Sequence, residues 1–309
     1  KKGDYERAFF YAEKERVAIR EAYGPKKVSE IFELLEENAT EKSKNVISVL
    51  LDFLKKISLL LFLKIKNKKI VWVLHNKIQH DGSYLFLQKL LLNGLVSFSD
   101  KIIIHSFVSR EFLIGEFPKK RNLSSKIVHI PHPDYIGDYG PILKTERAEG
   151  NKKIRLLCLG MIRPYKNIEL LIDVVKTFNV EEIELHIAGN FINVDYRDKL
   201  LKRIDDNINI TTDFRFIPDE EIPEIISKCD LLVFPYDIVS SLNSGSIIMS
   251  FSYKKSVIAP LIGTLKDYDN RENMFCYSYE SKESHFNELQ KEIEKVLNLV
   301  RKEGIEVIE

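Results

Sequence analysis

A chain of 309 residues is longer than one hydrophobic core usually serves, so two domains are the first expectation. With 44% hydrophobic and 30% charged residues it can fill such cores and remain soluble, while 47 Lys plus Arg against 46 Asp plus Glu exclude a wholesale nucleic-acid binder. Any recognition of a polyanion must therefore be local.

No run approaches the roughly 20 apolar residues of a membrane-spanning helix, and no secretory leader opens the chain, so a cytoplasmic protein is expected. Cys158, Cys229 and Cys276 stand far apart, each beside apolar residues and without metal spacing, which reads as buried thiols in a reducing compartment. The chain opens on Lys1 rather than Met, so an upstream piece, missing or cleaved, is expected.

From Tyr5 to about Glu37 the composition predicts charged surface helices. Between Val46 and Ile65 an apolar run with Leu50, Leu51, Phe53, Leu54 and Leu59 to Leu63 is edged by Lys55, Lys56, Lys64, Lys66, Lys68 and Lys69. Such a segment is either a core helix with a solvated lysine edge or a peripheral contact with an anionic bilayer at the inner face of the cell membrane. A strand over Ile70 to Leu74 then leads into a loop crowded with His75, Asn76, Gln79, His80, Asp81 and Gly82. Two histidines five apart lack a third ligand at the right spacing, so no metal is expected. Acid, base or sugar-binding roles suit them better.

A helix over Tyr84 to Val96 and a strand over Lys101 to Ile104 end in His105 and Ser106. A helix near Ser109 to Phe117 and a strand over Lys126 to Ile130 end in His132 and Tyr135. This alternation implies a parallel sheet whose strand ends face a ligand crevice. The stretch Gly137 to Asn151 is the best linker, which sets domains at 1–145 and 146–309.

The second half repeats the pattern. A strand over Ile154 to Leu159 ends at Gly160. Arg163, Pro164 and Lys166 follow, then a helix over Asn167 to Phe178 with Asn167 as its expected N-cap. Further strands are expected at Ile183 to Ala188, ending in Gly189 and Asn190; in a segment ending at Phe214 to Ile217; at Asp230 to Phe234, ending in Pro235 and Tyr236; and around Val257 to Ala259. Helices are expected over Val194 to Ile204, from Pro218 onward, and over Lys282 to Arg301.

Two turns can address one anion. Arg163 and Lys166 lie ahead of one helix, and Asn243, Ser244, Gly245 and Ser246 leave backbone N–H groups bare at the start of another. A P-loop, a dinucleotide fingerprint and a nucleophile elbow are all absent, which argues against nucleotide hydrolysis, hydride transfer and serine hydrolase chemistry.

The segments GMIRPYKNIELLIDVV, ELHIAGN, FIPDEEIPEIISKCDLLVFPY and SGSIIMSFSYKKSVIAPLIG, in that order, resemble the donor-binding half of family 4 (group 1) glycosyltransferases with the GT-B fold. VWVLHNKIQHDG and KIVHIPHPDY resemble acceptor-side segments of the members that build bacterial polysaccharides. The resemblance covers about Lys69 to Gly263. It implies an α/β protein of two facing Rossmann-like domains and sugar transfer, without a metal or other cofactor, from a nucleotide-diphosphate sugar to a glycan or polyprenol-linked acceptor.

By the same resemblance, Gly160, Arg163, Lys166, Tyr236 and Asn243 to Ser246 hold the diphosphate, while Gly189, Asn190, Phe216, Ile217 and Pro218 cradle the base and ribose. His75, His80 and Asp81 are expected at the chemistry, and Asn76, His105, Ser106, His132 and Tyr135 at the acceptor. Ser241 and Met249 stand where retaining members carry two glutamates, so the stereochemical outcome is not inherited. That departure also keeps a second expectation open, a non-catalytic GT-B-like subunit that binds sugar nucleotide or a partner transferase and scaffolds assembly.

Overall fold

The computed structural model describes residues 46–77, 85–144, 147, 153–239, 241–268 and 274–308. The helices expected over Tyr5 to Glu37, and Gln79, His80, Asp81 and Gly82, lie outside them. The chain divides into two compact units, Lys1–Lys68 and Lys69–Glu309.

In the first unit a helix spans Val46–Ile65. Leu50, Leu51, Leu54, Leu59, Leu61 and Phe62 are exposed on it. Lys56 pairs with Asp52 one turn earlier at 2.7 Å. No described helix is long and apolar enough to cross a membrane.

The second unit holds two parallel sheets. β1 (Val71–Leu74), β2 (Lys101–Ile104) and β3 (Ile127–His129) form the first, in that order. Helices Leu85–Phe98 and Phe107–Glu116 make the crossovers, and a short helix, Leu123–Lys126, leads directly into β3. The second sheet contains β4 (Ile154–Leu159), β5 (Ile183–Ala188), β6 (Ile210–Asp213), β7 (Leu231–Val233), β8 (Ser256–Pro260) and β9 (Met274–Tyr277), in the order β6-β5-β4-β7-β8-β9. This is the doubly wound order, in which the chain reverses direction across the sheet between β4 and β7.

β4 shows why the second sheet is two-sided. All six of its residues are buried. Side chains alternate across a strand, so Ile154, Leu156 and Cys158 join one core cluster while Leu157 and Leu159 join the other. The first cluster takes Ile168, Leu171, Ile172 and Val175 from helix Ile168–Val175. It also takes Leu289, Ile293, Val296 and Leu297 from helix Lys282–Glu303, at helical spacing. The second cluster packs Ile222 and Ile226 beside Ile247 and Met249 of helix Gly245–Ser252.

Several expectations need correction. The strand expected to end at Phe214 to Ile217 is instead Ile210–Asp213. Beyond it Arg215 folds back, with its N–H donating to the Asp213 carbonyl and its guanidinium bridging Asp213 and Glu221, which leaves Phe216 exposed. Asn167 occupies the N-cap position in the left-handed region without a side-chain capping bond. Its amide donates to the Pro235 carbonyl at 3.0 Å, tying two loops together. β9 was not anticipated, although Met274 to Tyr277 is a short apolar run of strand length.

The 145/146 boundary falls between the last strand of the first sheet and the first of the second. Within the described part of the expected linker, residues 141–144 are exposed, while Tyr139 and Gly140, and Tyr135 just before it, make contacts. Tyr135 and Tyr139 pack against the second sheet's core, and the Tyr253 hydroxyl donates to the Gly140 carbonyl at 3.2 Å. In return Leu242, from the loop after β7, is fully buried in the first sheet's core with Leu74, Ile102 and Ile104.

Candidate functional site

A pocket opens at the carboxyl ends of β4 and β7, where the strand order reverses. Its lining comes from Asn76, Tyr165, Lys166, Tyr236, Ser241 and the turn 243–246. In an open α/β sheet that crevice is where a ligand is expected. Tyr165 and Ser241 were not singled out as ligands by sequence. Tyr165 carries no motif of its own and enters only because it lies between Arg163 and Lys166.

The two expected anion turns meet here. Gly160 has φ +109, and a Cβ on it would lie 3.2 Å from the Lys166 ammonium and 3.3 Å from the Ser246 hydroxyl. Both groups therefore converge on the backbone at the end of β4. Gly189, at the end of β5 with φ +142, is held to glycine because a Cβ would come within 2.2 Å of the Gly160 carbonyl oxygen. The Asn190 carbonyl accepts from Ile162 N–H at 2.7 Å, continuing the alignment past the strand ends.

Lys166 is only 4% exposed. It reaches the face of Tyr236 at 5.9 Å but pairs with no carboxylate among the described residues. Burial is the main cause that lowers its pKa to about 8, with Arg163 adding repulsion. A buried cation of this kind is stabilised by an anion supplied from outside.

The Ser244 hydroxyl is engaged within the turn. It caps its helix by accepting from Ile247 N–H at 3.3 Å and donates to the Tyr236 hydroxyl at 3.0 Å. The N–H groups of Gly245 and Ser246 have no acceptor among the described residues and sit at the positive end of the helix.

Loop contacts fix this geometry. Asp237 N–H donates to the Tyr165 carbonyl at 2.8 Å, which joins the cation turn to the loop after β7. From behind, the Tyr279 hydroxyl donates to the Tyr236 carbonyl and accepts from Ile238 N–H, both at 3.0 Å. Its ring stacks on His285 at 3.7 Å. Tyr279→Phe is expected to weaken anion binding in the pocket several-fold and to cost about 1 kcal/mol of stability. Titration of pyrophosphate beside a thermal melt would separate these effects; a stability loss with unchanged anion affinity would deny Tyr279 its positioning role.

The first sheet contributes a row of imidazoles from the ends of its three strands. His75 and His105 have ring centroids 5.5 Å apart, and His105 and His132 5.1 Å. The His105 and His132 Nδ1 atoms donate to the carbonyls of Ile130 and Pro133, both at 2.8 Å, which leaves Nε2 of each ring for other partners. Burial lowers His105 to about 4. The His75 ring keeps an exposed edge, and enclosure of the remainder, with the His132 charge, lowers its pKa too. His105 is thus a neutral hydrogen-bonding group at pH 7 and too weak a base for efficient proton abstraction.

Tyr135 carries this row to the anion turn. A Cβ on Gly245 would lie 2.6 Å from the Tyr135 hydroxyl and 3.8 Å from His132 Nε2. Ser106 stands apart, fully buried as the N-cap of helix Phe107–Glu116 with its hydroxyl paired to Ser109. Ile217 is buried, Phe216 is exposed and Pro218 precedes a short 3₁₀ turn. All three follow β6 and are not among the pocket's lining residues. Among the described residues no cluster of three or more His, Cys, Asp or Glu is arranged to hold a metal ion.

Residues 142–238 match the family model described as Glycosyl transferases group 1. A curated GDP-mannose:glycolipid 4-beta-D-mannosyltransferase of Xanthomonas campestris pv. campestris is 29% identical over 135 residues, 43% of this chain and 38% of the relative. A second protein of that name, from Xanthomonas campestris pv. campestris strain ATCC 33913, is 30% identical over 106 residues, 34% of this chain and 30% of the relative. The matches thus span less than two fifths of the length of these curated relatives. The crystal structure of Anabaena Alr3699/HepE in complex with UDP superposes with a TM-score of 0.61 at 14% identity, over 83% of this chain and 70% of that one. The fold is that of GT-B glycosyltransferases.

Proposed function

We propose that this chain belongs to a glycosyltransferase of bacterial polysaccharide biosynthesis that moves a sugar from a nucleotide-diphosphate donor to a glycan or lipid-linked glycan acceptor. The observation that carries this reading is the convergence of the buried Lys166 ammonium and the Ser246 hydroxyl over Gly160, at the reversal point of the second sheet. The matched family segment supports it, and so do the relatives' names, which place such chemistry on a glycolipid.

As the anomeric C–O bond breaks, its electron pair leaves with the nucleoside diphosphate. Lys166, Arg163 and the N–H groups of Gly245 and Ser246 stabilise the growing charge where a metal-independent transfer needs it. The acceptor oxygen forms the new bond and passes its proton to a base on the 75–81 loop, for which His75, His80 and Asp81 are the candidates. His105, His132, Tyr135 and Asn76 bind sugar hydroxyls. No carboxylate lines the pocket among the described residues, so none offers the nucleophile of a double displacement.

The test incubates purified protein with nucleotide sugars and a lipid-linked glycan, and reads nucleoside diphosphate release and the product anomer by NMR. Release of nucleoside diphosphate with formation of a new glycosidic bond is expected, and the anomer identifies the stereochemical course. The observation that Ser241 and Met249 replace two glutamates favours one alternative, a non-catalytic subunit; binding of a nucleotide sugar without transfer or hydrolysis would select it. Peripheral membrane contact belongs to the same reading, because exposed Leu51, Leu54, Leu59 and Phe62 accompany exposed Lys55 and Lys56 on one helix.

A further inference from the structure

The family resemblance assigns Asn243 to the diphosphate, but its side chain is already engaged at both ends. Its amide nitrogen donates to the His75 carbonyl at 3.2 Å, and its oxygen accepts from the Thr264 hydroxyl at 2.9 Å. A carbonyl can only accept, so the contact with His75 fixes which end of the amide faces the first sheet. The oxygen is thereby turned to Thr264, whose own N–H donates to the Leu242 carbonyl at 3.1 Å.

Both chain neighbours of Asn243 are fixed as well. Leu242 is fully buried in the first sheet's core, and Ser244 caps helix Gly245–Ser252. Asn243 is therefore a short, rigid link between the anion turn and residue 75, the first residue after β1. Asn76 comes next and lines the pocket together with Asn243 and Lys166. The ring of His75 stands 5.5 Å from that of His105, so the linked residue also belongs to the histidine row. Releasing its carbonyl frees that ring to move. Reacting groups that are misplaced by about 1 Å lose roughly 100-fold in rate, so a link of this kind bears on any chemistry between the two sides.

We propose that Asn243 is a positioning residue rather than a diphosphate ligand: its side chain sets the distance between the anion turn and the strand end that carries His75. The consequence for transfer rests on the transferase reading above, whereas the positioning itself can be measured without any transfer.

The experiment titrates pyrophosphate into the full chain, Asn243→Ala, Thr264→Val and Lys166→Met, and follows the His75 imidazole by NMR, with its signal assigned from His75→Gln. Thr264→Val leaves the pocket lining in place and removes only the hydroxyl that holds the amide, so it stands in should Asn243→Ala fail to fold; thermal melts check every variant. Asn243→Ala should keep pyrophosphate affinity within about twofold of wild type, while Lys166→Met loses about tenfold or more. In Asn243→Ala the His75 signal should shift, and the His75 pKa, which enclosure and the His132 charge hold below its ordinary value, should rise. Thr264→Val should move the same signal in the same direction by less. A loss of pyrophosphate affinity in Asn243→Ala as large as in Lys166→Met would overturn the proposal, because the amide would then be an anion ligand. An unmoved His75 signal in every folded variant would overturn it too, as would absent pyrophosphate binding by wild type. Failure of the transferase reading registers separately, as absent transfer by wild type with the pyrophosphate and NMR results intact.

Discussion

A Lys166→Met protein is expected to be more heat-stable than its parent and nearly inactive. The stability gain comes from removing a buried ammonium that has no carboxylate partner among the described residues and whose pKa falls from 10.5 to about 8. The lowered folded-state value means that below pH 8 the group is charged in both the folded and unfolded chain, and the folded state carries the whole desolvation cost, roughly 3 kcal/mol. Between pH 8 and 10.5 the folded chain releases its proton first, so on this account parental stability rises with pH across that window. The methionine variant, of similar length, should lack the rise.

Activity should move the other way. Loss of one preorganised charge at the leaving group lowers transfer by about 10²- to 10³-fold. Parental donor affinity should weaken as pH rises through 8, where the free site loses its cation, and the variant's weaker affinity should be flat. Thermal melts, donor titration calorimetry and transfer rates at several pH values would check all three. Near-normal transfer by the variant would remove Lys166 from the mechanism. This trade between stability and activity is what a charge kept for a ligand produces.

What could be read from sequence was whatever local pattern determines. The apolar run of β4, the glycine that ends it and the three-four spacing of Ile168, Leu171, Ile172 and Val175 are short-range features, and each became an element close to its expected place. Convergence of Lys166 and Ser246 was also within reach, because parallel strands align their ends along one edge of the sheet. Sequence fell short where a side chain had two possible partners. Asn167 reads as a helix cap yet bonds a carbonyl 68 residues away, while Ser244, read as part of an anion turn, caps its helix. Phe214 to Ile217 looked like strand, but an arginine between two acids folded the chain back. Tyr279 shows no local sign of its task, since both of its loop partners lie some 40 residues earlier.

Arg155 was the least legible residue, a cation inside an apolar strand, and Asp230→Ala is expected to be the most destabilising single change in this unit. Asp230 is fully buried just before β7. One of its oxygens accepts from the Arg155 guanidinium, at 2.6 Å from Nη2 and 3.1 Å from Nε. The other accepts from the Arg155 backbone N–H at 2.8 Å and from Arg147 at 2.5 Å. Truncation strands a buried guanidinium and a buried N–H together, a loss of about 3–5 kcal/mol. For a unit of this size that lowers Tm by roughly 10 °C. Asp230→Asn keeps the shape and some acceptor capacity, so it should cost less. The triad nevertheless sits at the amino end of β4, about 17 Å of strand from Gly160. Donor affinity measured well below the melting range should therefore match the parent. A variant that melts early yet binds normally identifies Asp230 as the fastening between β4 and β7, the two strands whose far ends hold the pocket; weakened binding at low temperature would mean that the fastening also sets the distance between the two anion turns.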